Sequence, residues 1–460
     1  MEAFTTRGHW WLPGDDPENA IAGILTFDPR GEPKLELFGT FDGELMWGQA
    51  EKREQIILGV GDKGQAITLI DCLHLGSGLT ASNFTWRSSS YIPHFAIQGH
   101  LFEHEQDIIF ERLWLKFYGL EEWASTGKRW EPVDMDNPKI DRPTEDDVPV
   151  SLEGSELTII RGHSWSGDQR RHLTVGRDAT IEISPESHWN LEETISWIVD
   201  FQVFLSLAMG TSTWPTSIKA PNPDRENRQI SIHFRPLTDF IEKGNLSEFL
   251  MVFTLEDLNS KLEMCLRNWF CRSKDLDQIF LHYNLIVSKR MTLVDTFLIL
   301  AKAVEAYHRQ RFKETIVDEA IFAKTYEVMK AAIPEEADER VKQKLVNSLK
   351  WANQPSLRNR LNGIRDAHKG LEIQLFDEYK TFVQRVVSHR NYLTHLDDDG
   401  KPDTKLEDVM VPICERLKYI LEICLLSELG LDDEEMQQLV KNMSRINPMS
   451  PFLRPSQSES

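Results

Sequence analysis

The chain has 460 residues, 40% hydrophobic and 27% charged, the composition of an ordinary globular protein with room for two or three domains. Its formal charge of -21 excludes a constitutive nucleic-acid coat or a binder of anionic membrane surfaces, since both need a net basic footprint, while leaving space for one local basic cleft. Cys72, Cys265, Cys271, Cys414 and Cys424 form no C-x-x-C pair, so buried thiols are expected rather than a disulfide framework or a zinc knuckle.

In chain order, the opening "MEAFTTRGHWWLPGDD" lacks the charged and apolar regions of a secretory signal, and a cytoplasmic protein is expected. Residues 1 to about 185 read as strands. "AIAGILTF" and "KLELFGTF" flank the turn "DPRGEP", "REQIILGV" and "QAITLIDCLHL" flank "GDKG", and "RLWLKFYGL" alternates Leu113, Leu115 and Phe117 on one face. The Pro- and Asp-rich stretch 131–149 reads as an exposed loop. "ELTIIRG" and "HLTVGRDATIEISP" are further strands. A helix starts at Leu191 with Asn190 and Glu193 as a capping box and Gly210 as its stop. Its apolar run "ISWIVDFQVFLSLAMG" carries Asp200 and Gln202 and is shorter than the roughly 20 residues of a membrane span, so it reads as a core helix and no membrane partner is expected. "QISIHFRPL" adds a strand. From about 240 the pattern turns helical, with Leu293, Phe297, Leu300, Val304 and Tyr307 as one stripe and similar patterns over 315–332, 336–352, 371–395 and 406–427. The predicted fold class is α+β, a β-rich domain followed by an antiparallel helical bundle. The expected limits are 1–240 for the first, 241–285 for a helical connector, 286–445 for the bundle and 446–460 for a disordered Pro- and Ser-rich tail.

Three motifs have plain readings. "GVGDKG" matches G-x-G-x-x-G, but a strand follows it rather than a helix, so it reads as a glycine-rich hairpin turn and not a nucleotide cradle. "HLFEH" places His100, Glu103 and His104 in zinc-protease spacing within a β-rich context and without a third ligand, so polar strand residues are expected. Asp397, Asp398 and Asp399 read as a solvated turn. No cofactor and no metal is expected.

The stretch "RVVSHRNYLTHLDDDG" crowds cations and amides onto an otherwise apolar helix. Asn391 and His395 are four apart and share a face, whereas Arg390 lies about 140° round from His395 at about 100° per residue. A single helix brings Arg390 and His395 to one phosphate only along a shallow surface, whereas two copies of it about a two-fold axis present both sets to one site. Histidine can take or give the protons of 2′-OH attack near neutral pH, arginine supplies permanent charge for the phosphorane, and Asn391 can orient the histidine or donate to phosphate. That chemistry selects RNA. Arg358, Arg360, Arg365, His368 and Lys369 in "SLRNRLNGIRDAHKG" read as a basic RNA-facing patch or a solvated loop, and Arg385 and His389 are neighbours at R-x3-H spacing. Arg365, Lys369, Arg385 and His389 are taken as candidate RNA contacts.

"RNYLTH" in a terminal helical bundle resembles the R-x4-6-H motif of the HEPN superfamily, and "FLILAKAVEAYHRQRF" looks like the first long helix of ApeA-like HEPN domains. The W-x-P-G, G-x-L and L-x-L-x-G elements at Trp11, Pro13, Gly14, Gly23, Leu25, Leu35, Leu37 and Gly39 resemble the start of the ApeA N-terminal domain. The resemblance implies a bacterial abortive-infection defence protein, with Arg390 and His395 as the catalytic pair of a metal-independent endoribonuclease, Asn391 as their polar companion, and Glu305 as a further polar group. It implies an RNA substrate, a homodimer or higher homo-oligomer through the HEPN domain, a phage-derived trigger, and a sensing or restraining N-terminal half. The alternative is a non-catalytic HEPN-type interaction module. A metal- or nucleotide-dependent enzyme built on "HLFEH" or "GVGDKG" is a third reading.

Overall fold

The computed structural model describes residues 1–41, 53–81, 85–125, 146–167, 174–236, 246–395 and 406–455. It divides into two units, residues 1–270 with 287–289 and residues 271–286 with 290–460.

The first unit is built from alternation. Its strands are β1 (Phe4–Trp11), β2 (Ile21–Phe27), β3 (Lys34–Leu37), β4 (Arg53–Gly61), β5 (Ala66–Ala81), β6 (Thr85–Gln98), β7 (Ile109–Phe110), β8 (Leu113–Phe117), β9 (Val148–Leu152), β10 (Ser155–Ser166), β11 (Thr174–Pro185), β12 (Trp189–Asn190), β13 (Pro215–Asn222) and β14 (Arg225–Phe234). Six of them close on themselves in the order β3-β2-β1-β4-β5-β6, because β3 pairs with β2 on one side and with β6 on the other. Closure removes two sheet edges. Leu25, Phe27, Leu35, Leu37, Ile57, Ile67 and Leu69 alternate inward to fill the barrel around Trp10. The two leucines of L-x-L are therefore barrel-core residues.

The glycines of "GVGDKG" serve this barrel. Gly59 lies directly across from Trp10 in the β1–β4 ladder, and a Cβ there would sit 2.2 Å from the indole ring. Gly64, at φ +69°, makes the left-handed turn that joins β4 to β5. The expected hairpin is present. Gly59→Ala is therefore an overpacking substitution and should cost about 1–3 kcal/mol in chemical denaturation.

The end of β6 passes to β14, and the sheet continues as β13-β8-β11-β10-β9, antiparallel throughout. A one-turn helix α1 (Leu120–Trp123) and the longer α2 (Leu191–Met209) pack here, with Phe201 against Phe117 and Phe204 against Trp123. Asn190 and Glu193 form the predicted capping box, and Gly210 ends the helix at φ +62°. From Phe201 to Met209 helix α2 is buried on every face, as an all-round apolar core segment must be, while Glu192, Glu193 and Ser196 in its first turns are exposed. Among the described residues no helix is long and apolar enough to cross a membrane.

The one-turn helix α3 (Leu255–Leu258) leads to α4 (Leu262–Ser288), which contributes residues to both units. The second unit continues with α5 (Leu293–Phe312), α6 (Glu319–Ala331), α7 (Glu339–Lys350), α8 (Leu357–Ala367), α9 (Tyr379–His395), α10 (Leu406–Ser427) and α11 (Asp433–Ile446). Helix α5 is central, lying against α8, α9 and α10. Phe297, Leu300, Val304 and Tyr307 of its predicted stripe are buried, while Leu293 at the first turn is exposed. Buried acids tie the helices. Glu428 accepts from the Tyr307 hydroxyl at 2.6 Å and pairs with Arg311 at 3.1 Å, and Glu422 accepts from Tyr283 at 3.2 Å.

Four expectations are corrected. "SLRNRLNGIRDAHKG" is not a loop but mostly helix α8, because Leu361 and Ile364 are buried and Ser356 caps its start, and of its cations Arg360 is buried. The tail is not disordered over its described part, since Leu453 is buried and Pro455 bridges Ile373. Cys271 is exposed, unlike the other four thiols. "HLFEH" follows the end of β6 rather than lying in a strand. Asp397–Asp399 and most of the 131–149 loop lie outside the described residues.

Candidate functional site

Helix α9 is amphipathic in a way that decides which of its polar residues are usable. Phe382, Val383, Val386 and His389 form its buried stripe. Its entry is braced by Arg416 of α10, which donates from Nε to the Leu375 carbonyl at 2.7 Å and from a terminal nitrogen to the Asp377 carbonyl at 2.5 Å. The same guanidinium lies 4.4 Å from the Phe382 ring centroid, and burial pushes its pKa down to about 10. The Tyr379 hydroxyl donates to the Leu361 carbonyl at 2.9 Å, fixing α9 on α8.

Arg390 sits at the edge of the buried stripe. Its guanidinium is 3.9 Å from a carboxylate oxygen of Glu305 on α5, and its side chain remains 39% exposed. The other Glu305 oxygen takes Arg309, one turn on, at 3.1 Å. One carboxylate thus lies between two guanidiniums on different helices, and Arg390 keeps donors open to solvent. Asn391 is exposed next to it. His395 is the last residue of α9, on the Asn391 face by its i, i+4 spacing, and its side chain lies outside the described residues.

The remaining candidates separate. Arg385 is exposed on α9 and Lys369 is exposed just beyond α8. Arg365 is held by Asp366 through two bonds of 2.9 and 2.7 Å and lies 5.6 Å from the Tyr379 ring centroid, at the start of α9. Eleven residues of helix separate Tyr379 from Arg390, about 16 Å, so Arg365 and Arg390 do not serve one phosphate within a single copy. His389 is corrected as a surface contact. It is buried, donates from Nδ1 to the Arg385 carbonyl at 2.7 Å and meets Phe297 edge to face. Arg360 is likewise buried, with Gln354 at 3.2 Å and the His308 ring at 3.5 Å. Burial lowers the pKa of both Arg360 and His308.

Sequence reasoning missed Arg309, whose signal was its i, i+4 spacing from Glu305. Of the zinc-spaced pair, His100 faces Asp224 at 3.5 Å and Phe102, whereas His104 stands at the cap of a short 3-10 turn. Among the described residues no three His, Cys, Asp or Glu side chains gather as a metal site.

Comparison with curated proteins and with solved structures gives no match. Residues 5–269 match the family described as ApeA N-terminal domain 1, and residues 298–435 match that described as Apea-like HEPN, which covers α9. The chain therefore belongs to the ApeA N-terminal domain 1 family and carries an Apea-like HEPN domain behind it.

Proposed function

We propose that the HEPN domain is a metal-independent endoribonuclease of abortive-infection defence, held in check by the N-terminal domain until a phage-derived trigger is sensed. The observation that carries this reading is Arg390, presented on α9 with Glu305 behind it and its guanidinium open to solvent, inside the matched HEPN region. In the proposed step the 2′-oxygen attacks phosphorus as a base removes its proton, and the 5′-oxygen leaves with a proton from an acid. The products are a 2′,3′-cyclic phosphate and a 5′-hydroxyl. His395 acts as one of these proton carriers, Arg390 neutralises charge on the phosphorane, and Asn391 orients the histidine. A second copy supplies the matching set about a two-fold axis, and exposed Arg385 and Lys369 contact RNA further out. The trigger acts in the cytoplasm, where the RNA substrate is.

Glu305 is a positioning residue in this scheme. A half-exposed ion pair is worth up to about 1 kcal/mol, so Glu305→Gln should slow cleavage by no more than about fivefold. The direct test is phage plating on cells carrying wild type, Arg390→Ala or His395→Ala at equal protein abundance. Loss of protection in both variants supports the nuclease. If both still protect, Arg390 is a structural ion-pair partner and the bundle an interaction module.

A further inference from the structure

From Arg340 to Arg365 the chain carries no acid, in a protein of formal charge -21. Helix α7 opens this stretch. Half-buried Lys342, Val346 and Leu349 mark its inner side, where it meets α6. At about 100° per residue, Arg340, Lys344, Asn347 and Trp351 form a stripe on the opposite side, and with Gln343 and Ser348 they line a groove of about 540 Å³. Trp351 ends the stripe with its side chain 72% exposed, and no other tryptophan is exposed among the described residues. An indole has more apolar area to bury than any other side chain, so one left open marks a contact surface. Two cations of α7 are engaged within the chain, Arg340 with Asp338 at 3.4 Å and Lys342 with Glu339 at 3.8 Å. Lys344, two turns before Trp351 on the stripe, and Lys350 at its border are exposed and have no acidic partner among the described residues. Gln343 donates to the Asn347 side-chain oxygen at 3.0 Å, which leaves the Gln343 oxygen and the Asn347 amino group for other partners.

We propose that this face of α7 holds single-stranded RNA, with a base stacked on Trp351 and phosphates against Lys344 and Lys350. The chemistry of the stripe selects that occupant. An open indole offers a stacking platform to any unpaired base, and lysines with no acid beside them attract the phosphate chain. A duplex keeps its bases stacked on one another and leaves the indole without a partner. Trp351 is the one apolar side chain of the stripe, so an apolar protein partner finds nothing further to bury. From Arg340 to Trp351 the stripe runs about 16 Å, the length of a few nucleotides. The face itself recognises bases and phosphates, and the choice of RNA rests on the ribonuclease reading. It adds to that reading a holding surface on a helix other than those of Arg390 and Glu305, where Trp351 retains the strand and takes no part in the chemistry.

The test is binding of a fluorescein-labelled oligouridylate to the full chain carrying Arg390→Ala, read by fluorescence anisotropy, so that binding is measured without cleavage. Adding Trp351→Ala should weaken binding about tenfold, the usual effect of losing one base–aromatic stack, while Trp351→Phe keeps most of the affinity. Lys344→Gln with Lys350→Gln should lower the slope of log affinity against log salt by roughly 1.4, the share of two phosphates on a single strand. Both sites are exposed, so the circular dichroism spectrum should not change, and the lysine pair decides if Trp351→Ala fails to fold. An oligouridylate that does not bind, or an affinity and salt slope that these variants leave unchanged, would overturn the proposal. Vesicles of phosphatidylcholine and phosphatidylserine supply the control. If Trp351→Ala abolishes binding to them and spares the oligouridylate, the face is a membrane contact and the proposal falls. The ribonuclease reading fails separately. Binding through Trp351 in a protein whose Arg390→Ala variant still protects against phage upholds the surface and removes the nuclease, whereas RNA cleavage by wild type without oligouridylate binding removes the surface alone.

Discussion

Arg390→Ala is expected to lower RNA cleavage by about 10²–10³-fold, the usual consequence of removing one group aimed at charge that develops in the transition state. The fold should survive. Arg390 has a half-exposed ion pair with Glu305 at 3.9 Å, and such pairs contribute at most about 1 kcal/mol. A thermal midpoint within a few degrees of wild type, together with the loss of cleavage, separates a chemical role from a structural one. Arg390→Lys refines the test. Lysine keeps the charge but not the planar fork of donors, so an intermediate rate is expected if the guanidinium grips two phosphate oxygens, and a near-normal rate if charge alone suffices. His389→Phe provides the contrast, because that ring faces Phe297 in the core and its loss should be read in stability rather than in chemistry.

The strand-rich unit is expected to lose about 3 kcal/mol as the pH falls from above 6.5 to below 4, through His233. This imidazole is wedged between Phe4 and Phe27 with ring centroids 5.0 and 5.7 Å away, and its Nε2 lies 3.2 Å from the Gln98 side-chain oxygen. Burial pushes its pKa from 6.5 down to about 4, and the Met1 ammonium works in the same direction. The folded pKa lies below the unfolded one, so the unfolded chain binds the extra proton between pH 6.5 and 4. The stability is complete above about 6.5 and is lost as the pH falls through the folded pKa, about 1.4 kcal/mol for each unit of separation. Twelve of the thirteen tryptophans precede residue 271, so their fluorescence reports on this unit. In urea titrations at pH 7.5 and 4.5, wild type should lose 2–3 kcal/mol more, to order of magnitude, than His233→Gln, which keeps a donor for Gln98 but does not titrate in this range. Equal losses would place the acid sensitivity elsewhere.

The sequence made some parts of this molecule legible for local reasons and hid others for non-local ones. Period-2 runs such as Leu113, Leu115, Phe117 and the capping box of Asn190 and Glu193 are written in adjacent residues, and both appear as expected. Closure of the barrel depends on Leu35 pairing with Tyr91, a contact between residues 56 positions apart that no local pattern encodes. Helix α8 was hidden by its charges. Leu357, Leu361 and Ile364 have helical spacing, yet the arginines among them suggested solvent, and one of those, Arg360, is buried against His308. On α9 the spacing of Phe382, Val386 and His389 already placed His389 on the inner stripe, and its polarity obscured that signal. Arg390 drew notice through its R-x4-H spacing to His395, and its contact with Glu305 across two helices became visible only in the fold.

The proposed ribonuclease cuts RNA through the RNA's own 2′-hydroxyl at a site built around Arg390 and His395. The most direct measurement maps the 3′ ends of RNA fragments that accumulate in phage-challenged cells expressing the wild-type chain, Arg390→Ala or His395→Ala. Fragments ending in 2′,3′-cyclic phosphate in the wild type, and absent from both variants at equal protein abundance, are the predicted result. Fragments ending in 3′-hydroxyl, or cyclic ends equally abundant in the variants, would contradict it.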